Sequence, residues 1–112
     1  MIESLYEFHR YYGETFKVEL PRGSGKWVPL DKVATDVSQR LSHIFLRSNE
    51  NGGRRAVFGD VAYFQTDPNW RDYIPFHEYF DGETGAGLGA SHQTGWTALV
   101  AMLLQQSEAT RE

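Results

Sequence analysis

The stretch 31–48 constrains this chain more than any other part of it. Val33, Val37, Leu41, Ile44 and Phe45 recur at steps of three and four, while Asp36, Gln39 and Arg40 fall between them. A helix of 3.6 residues per turn gathers those apolar side chains on one face and sends the polar ones to the other. Asp31 is suited to cap its start, because a short carboxylate can accept from the first unpaired backbone N–H groups. A helix with one apolar face must bury it against other elements, so the chain reads as a mainly α packed structure.

The flanking segments extend that reading. Leu5, Phe8 and Tyr12 predict a helix over residues 2–12, with Gly13 as its stop. Phe16, Val18 and Leu20 alternate with Lys17 and Glu19, and Pro21, Gly23, Ser24 and Gly25 supply a turn, which makes residues 14–30 a hairpin-like excursion between two helices. Residues 49–53 form a polar loop, and residues 54–68 are irregular, with Phe58, Tyr63 and Phe64 expected to be buried. After Asp67, Pro68 and Asn69, the spacing of Trp70, Tyr73, Ile74 and His77 predicts a helix running to about residue 82, kinked where Pro75 removes a backbone donor. A glycine-rich loop, residues 82–89, leads to a last helix over residues 94–106. Trp96, Leu99, Val100 and Leu103 form its apolar face, widened by Ala98 and Met102. The polar tail from Ser107 is expected to fray. Neither an internal repeat nor a linker divides the sequence, so residues 1–112 read as a single, partial domain.

Composition excludes several classes of function. A net charge of −4 argues against a nucleic-acid surface, which needs clustered cations to displace counterions. No run approaches the ~20 apolar residues of a membrane helix, and the first residues lack the basic and apolar regions of a signal peptide. The chain has no cysteine, which removes thiolate metal sites and fits a reducing compartment; the expected location is cytoplasmic. Aromatic residues are abundant at 14%, and they serve equally as core filler or as surfaces on which sugar rings stack.

Two familiar patterns fail on inspection. His77-Glu78-Tyr79-Phe80-Asp81 approaches the zinc motif H-E-x-x-H, but Asp81 stands where the second imidazole is required, so no metal is expected there. Gly85-Ala86-Gly87-Leu88-Gly89-Ala90 matches a dinucleotide-binding fingerprint, but the βαβ context is missing and no cofactor is expected. Its glycines instead permit tight turns and the close approach of a ligand or another backbone. His9, His43, His77 and His92 are scattered. Glu78 is the unusual carboxylate, since it lies in the aromatic run from Ile74 to Phe80. If buried there it must be paired or used; otherwise it points to solvent or pairs with Arg71.

The combination of Glu78-Tyr79-Phe80-Asp81-Gly82-Glu83-Thr84-Gly85 with Gly95-Trp96-Thr97-Ala98-Leu99-Val100 resembles the C-terminal motif of glycoside hydrolase family 63, the processing-glucosidase and mannosylglycerate-hydrolase relatives. The segments Phe64-Gln65-Thr66-Asp67-Pro68-Asn69-Trp70-Arg71-Asp72 and Gly87-Leu88-Gly89-Ala90-Ser91-His92-Gln93-Thr94-Gly95-Trp96-Thr97 are most similar to its bacterial branch. The resemblance implies the terminal helical hairpins of an (α/α)6 barrel and an inverting hydrolysis of α-glucosides or α-mannosides. It maps the water-activating base to Glu78 and suggests Trp96, Gln93 and His92 as substrate-binding residues. Inversion needs a second carboxyl group across the sugar, about 6.5–9.5 Å from the first. No segment here matches the family's acid, and Asp81 and Glu83 follow Glu78 too closely to face it. A twelve-helix barrel also needs several hundred residues, whereas about four helices are legible here. The chain is therefore expected to be inactive alone and to need the rest of the barrel, or to self-associate through an uncovered apolar face. A stand-alone helical module that binds a sugar or a protein without catalysis is the alternative.

Overall fold

The helix expected over residues 31–48 forms as Leu30–Phe45, in a computed structural model that describes residues 1–50, 52–92 and 94–109. Four α-helices and three two-stranded antiparallel sheets make up the regular structure of the described residues, together with one 3₁₀ turn. This is a mixed, largely helical architecture, and the described elements do not close a barrel. The chain divides into two compact units, Met1–Arg40 and Leu41–Glu112, with the boundary inside the long helix. No described helix is long and apolar enough to cross a membrane.

In the first unit, α1 (Ile2–Tyr12) stops at Gly13, whose φ of 71° is open to glycine and costly for other residues. The Gly13 N–H donates to the His9 carbonyl at 2.7 Å and closes the helix end. The hairpin pairs β1 (Lys17–Glu19) with β2 (Trp27–Pro29), Val18 facing Val28. Its loop is held from inside: the Glu19 carboxylate accepts from Gly23 N–H at 2.8 Å and Gly25 N–H at 2.7 Å. Those backbone donors hold the Glu19 carboxyl below its ordinary range. In α2 (Leu30–Phe45), Leu30 and Ala34 are buried, and Ser38 joins them by donating its hydroxyl to the Ala34 carbonyl at 2.8 Å. The helix begins one residue before Asp31, so Asp31 is the second helical residue and not the cap; its Oδ1 accepts from Lys32 N–H at 2.7 Å. The helix stops short of residue 48 because Arg47 and Ser48 form β3 (Arg47–Ser48) and pair with β4 (Arg54–Arg55).

The second unit is built around Phe45, Val57, Phe58 and Val100, with Ile44, Phe64, Ile74, Phe76, Phe80 and Leu104 packed against them. Val57 and Phe58 reach the core from a 3₁₀ turn, Ala56–Phe58. The Gln65 side chain, on α3 (Ala62–Thr66), takes the place of a strand partner. Its Oε1 accepts from Arg55 N–H and its Nε2 donates to the Arg55 carbonyl, both at 2.9 Å. Phe58 is buried as expected and Phe64 is half-buried against the core, but Tyr63 is 53% exposed and stands outside it. On α4 (Thr94–Ala109), Val100 and Leu103 are buried and Leu99 is half-buried, whereas Ala98 and Met102 are exposed and do not widen the apolar face.

The helix expected from Asp67 to residue 82 does not form. Residues 67–72 are successive turns: Asp67 O accepts from Trp70 N–H at 3.0 Å and Arg71 N–H at 2.8 Å, and Asp67 Oδ1 accepts from Asn69 N–H at 2.8 Å. Proline at positions 68 and 75 removes two donors from that stretch. Beyond Pro75 the chain is extended. Ile74, Phe76 and Phe80 are separated by even steps, which an extended chain also gathers on one side. It ends in β5 (Tyr79–Phe80), paired with β6 (Gly87–Leu88).

Candidate functional site

Glu78 enters the site from an extended segment, not a helix. Phe76 and Phe80 on either side of it anchor on Phe45, with ring centroids 5.3 and 5.4 Å away, one stacked and one edge-on. Between these anchors Glu78 N–H donates to the Ala90 carbonyl at 2.8 Å, and Phe76 bridges His92. The Glu78 side chain is exposed, so burial puts no demand on it, and its Oε2 lies 3.5 Å from Ala90 N–H. The contact with Ala90 is at the long limit of a hydrogen bond and orients the carboxylate only weakly.

The turn beyond it explains much of the motif. Asp81 N–H donates to Ala86 O at 2.8 Å and Gly85 N–H to Asp81 O at 2.9 Å. The Asp81 carboxylate accepts from Thr84 N–H at 2.7 Å, from the Thr84 hydroxyl at 2.8 Å and from Glu83 N–H at 3.0 Å. These donors, Thr84 N–H foremost, hold its carboxyl below the ordinary aspartate range. A depressed pKa suits an acceptor that fastens a turn and is the opposite of what a proton-donating acid needs. Gly85 takes φ 75° in this turn, and a side chain there would press on Ala56.

The glycine run receives side chains of the same hairpin. A Cβ on Gly87 would overlap the His77 ring, with Nε2 2.7 Å away, and one on Gly89 would lie 2.8 Å from Glu78 Oε2. Gly89, at φ 71°, is also an extra residue in the pairing: Tyr79 faces Leu88, yet Glu78 bonds to Ala90. That is the signature of a β-bulge with glycine in the left-handed region. Nothing in the spacing of the sequence marks the His77–Gly87 contact.

His92 is exposed and reaches the neighbourhood of Glu78 through its bridge to Phe76. Gln93 lies outside the described residues. Trp96 is in the first turn of α4, and its side chain lies outside the described residues as well. Among the described residues, a group of histidine and carboxylates within metal-binding reach occurs in the first unit. His9 Nε2 is 3.4 Å from Glu14 Oε1, and His9 Nδ1 is 3.8 Å from Asp31 Oδ1. The two carboxylates lie beside different nitrogens of one ring. His77 and Asp81 are not members of that group.

The chain is similar to a stretch of the protein YMR196W of Saccharomyces cerevisiae, which is described only as uncharacterized: the two are 54% identical over 102 residues, 90% of this chain and 9% of the yeast protein. The chain thus resembles a small part of a much larger protein. No family model and no solved structure matches it.

Proposed function

We propose that the chain is part of an inverting glycoside hydrolase of the family 63 type, acting on α-glucosides or α-mannosides, and that Glu78 is its water-activating base. The observation that carries the reading is the presentation of Glu78: an exposed carboxylate on a segment pinned by Phe76, Phe80 and Ala90, followed at once by a turn that Asp81 fastens. A base that accepts a proton from water needs solvent access and a fixed backbone, and this segment offers both. The partner acid would come from the remainder of the larger protein, because Asp81 is engaged in the turn. The similarity to 9% of a longer yeast protein supports a segment that works within a larger whole.

The test is reconstitution. The remainder of the yeast relative, expressed without the matched stretch, is mixed with this chain and assayed on α-glucosides and α-mannosides. Hydrolysis should appear only in the mixture, and Glu78→Gln should lower it by about 10²–10⁴-fold, the usual contribution of a general base. Robust hydrolysis by the chain alone would refute the missing-acid argument, and a fully active Glu78→Gln mixture would remove Glu78 from the chemistry.

A further inference from the structure

We propose that His77 and Gly87 form a ring-and-socket contact that positions Glu78, a role that rests on the reading of Glu78 as a base. The Cγ–Cδ2–Nε2 edge of the His77 imidazole occupies the space where any other residue at 87 would carry its Cβ. Gly87 belongs to β6 and His77 precedes β5, so the ring lies across the pairing and wedges the segment against its partner strand. His77 Nδ1 is buried and has no hydrogen-bond partner among the described residues, so the ring is held by shape and not by a polar bond. The adjacent residue is Glu78, whose N–H bonds to Ala90 and whose carboxylate lies against the bare backbone of Gly89. Gly87 and Gly89 are thereby a mould for two neighbouring side chains: one receives the wedge, the other the carboxylate. His77 touches no reacting atom in this scheme. It acts by fixing where the next residue starts.

The mould predicts a rescue. In Gly87→Ala the new methyl cannot coexist with the ring, so the ring must leave its seat, and the Glu78 N–H bond to Ala90 should loosen with it. In the double variant His77→Ala/Gly87→Ala the methyl enters the space the ring vacated. Gly82→Ala is the control, because a Cβ at Gly82 meets nothing within 4 Å. Amide hydrogen exchange by NMR on the intact chain reads the outcome at two positions: Glu78, which reports the placement, and Thr84, whose N–H is held by Asp81 and reports the turn. Gly87→Ala should speed Glu78 exchange about tenfold or more with Thr84 unchanged, and the double variant should recover most of that protection. Gly82→Ala should leave both amides as they are.

Three results would overturn the proposal: unchanged Glu78 exchange in Gly87→Ala, equal loss of protection at Glu78 and Thr84, or a double variant no better than Gly87→Ala. In the reconstituted enzyme the same pair should lower and then restore kcat while KM stays constant, as expected when a base is displaced and binding is not. Failure of Glu78→Gln to reduce hydrolysis would sink the hydrolase reading and leave the amide result standing, so the two ideas fail separately.

Discussion

Replacing Phe45 by alanine removes the ring on which the candidate site rests. Phe45 is 3% exposed and touches both anchors of the Glu78 segment, Phe76 at 5.3 Å and Phe80 at 5.4 Å between centroids. Truncating a buried phenylalanine costs about 3–5 kcal/mol, made up of lost transfer free energy and the cavity left behind. Two aromatic pairs, each contributing about 0.5–1.5 kcal/mol beyond buried area, place Phe45→Ala near the upper end of that range. A domain of this size is stable by about 5–15 kcal/mol, so the variant gives up a large share of the whole. At roughly 4 °C per kcal/mol its Tm should fall by about 20 °C. Phe45→Leu keeps most of the volume and should cost about 1.5 kcal/mol, separating loss of ring contacts from loss of bulk. Urea titration followed by circular dichroism, with thermal melts of both variants, measures the difference. A Phe45→Ala stability within about 1 kcal/mol of the parent would show that the ring is not the keystone of this core and would refute the packing argument.

Two further outcomes follow from the same fold. Leu103 is fully buried at 0% exposure, so Leu103→Ala should lose about 2–5 kcal/mol in the same titration, whereas alanine at the half-exposed Met102 should change stability by less than about 1 kcal/mol. The Asp81 carboxyl is held below its ordinary pKa by Thr84 and Glu83. Its stabilisation of the turn is therefore fully present above the unfolded-state value and lost as pH falls through the lower folded-state value. Thr84 amide protection should persist down to about pH 4 and decline below it. In Asp81→Ala that protection should be weak at neutral pH and insensitive to acid, and an acid transition that survives the substitution would assign the turn to another group.

The elements that were legible in the sequence are those in which one periodicity has no rival. The apolar steps from Val33 to Phe45 fit a helix and nothing else, and α2 forms there. The Pro21–Gly25 turn between alternating segments gives the β1–β2 hairpin, and the paired Leu99, Val100 and Leu103 give α4. The failure lies at residues 67–82, where two periods coincide. Trp70, Tyr73, Ile74 and His77 fit a helix, while Ile74, Phe76 and Phe80 fit an extended chain. Hydrogen bonds decide: Asp67 and Asn69 satisfy turns instead of a helix start, and Pro75 supplies no N–H for a helical ladder. Tyr63 shows the other limit, since an aromatic residue in an irregular stretch carries no period from which to read its burial. At the candidate site, Glu78 could be named from its neighbours, but its pairing with Ala90 and the socket for His77 depend on contacts ten and twelve residues apart that no local spacing encodes.

The bulge at Gly89 sets the parity of this hairpin. Along an extended chain the side chains alternate, so each pairing register is a reading frame with a fixed assignment of inside and outside. Strict alternation would put Glu78 on the side of Phe76 and Phe80; instead Glu78 is exposed and His77 half-buried, so the bend at Glu78, opposite the bulge, breaks the alternation. Without the extra residue, regular alternation would run on through Glu78 and turn its carboxylate to the side of the core phenylalanines. One glycine that adds a residue to the partner strand therefore acts as a frame marker, and an insertion or deletion between Gly87 and Ala90 would be read as a frameshift of the surface chemistry, even where the hairpin itself still closes.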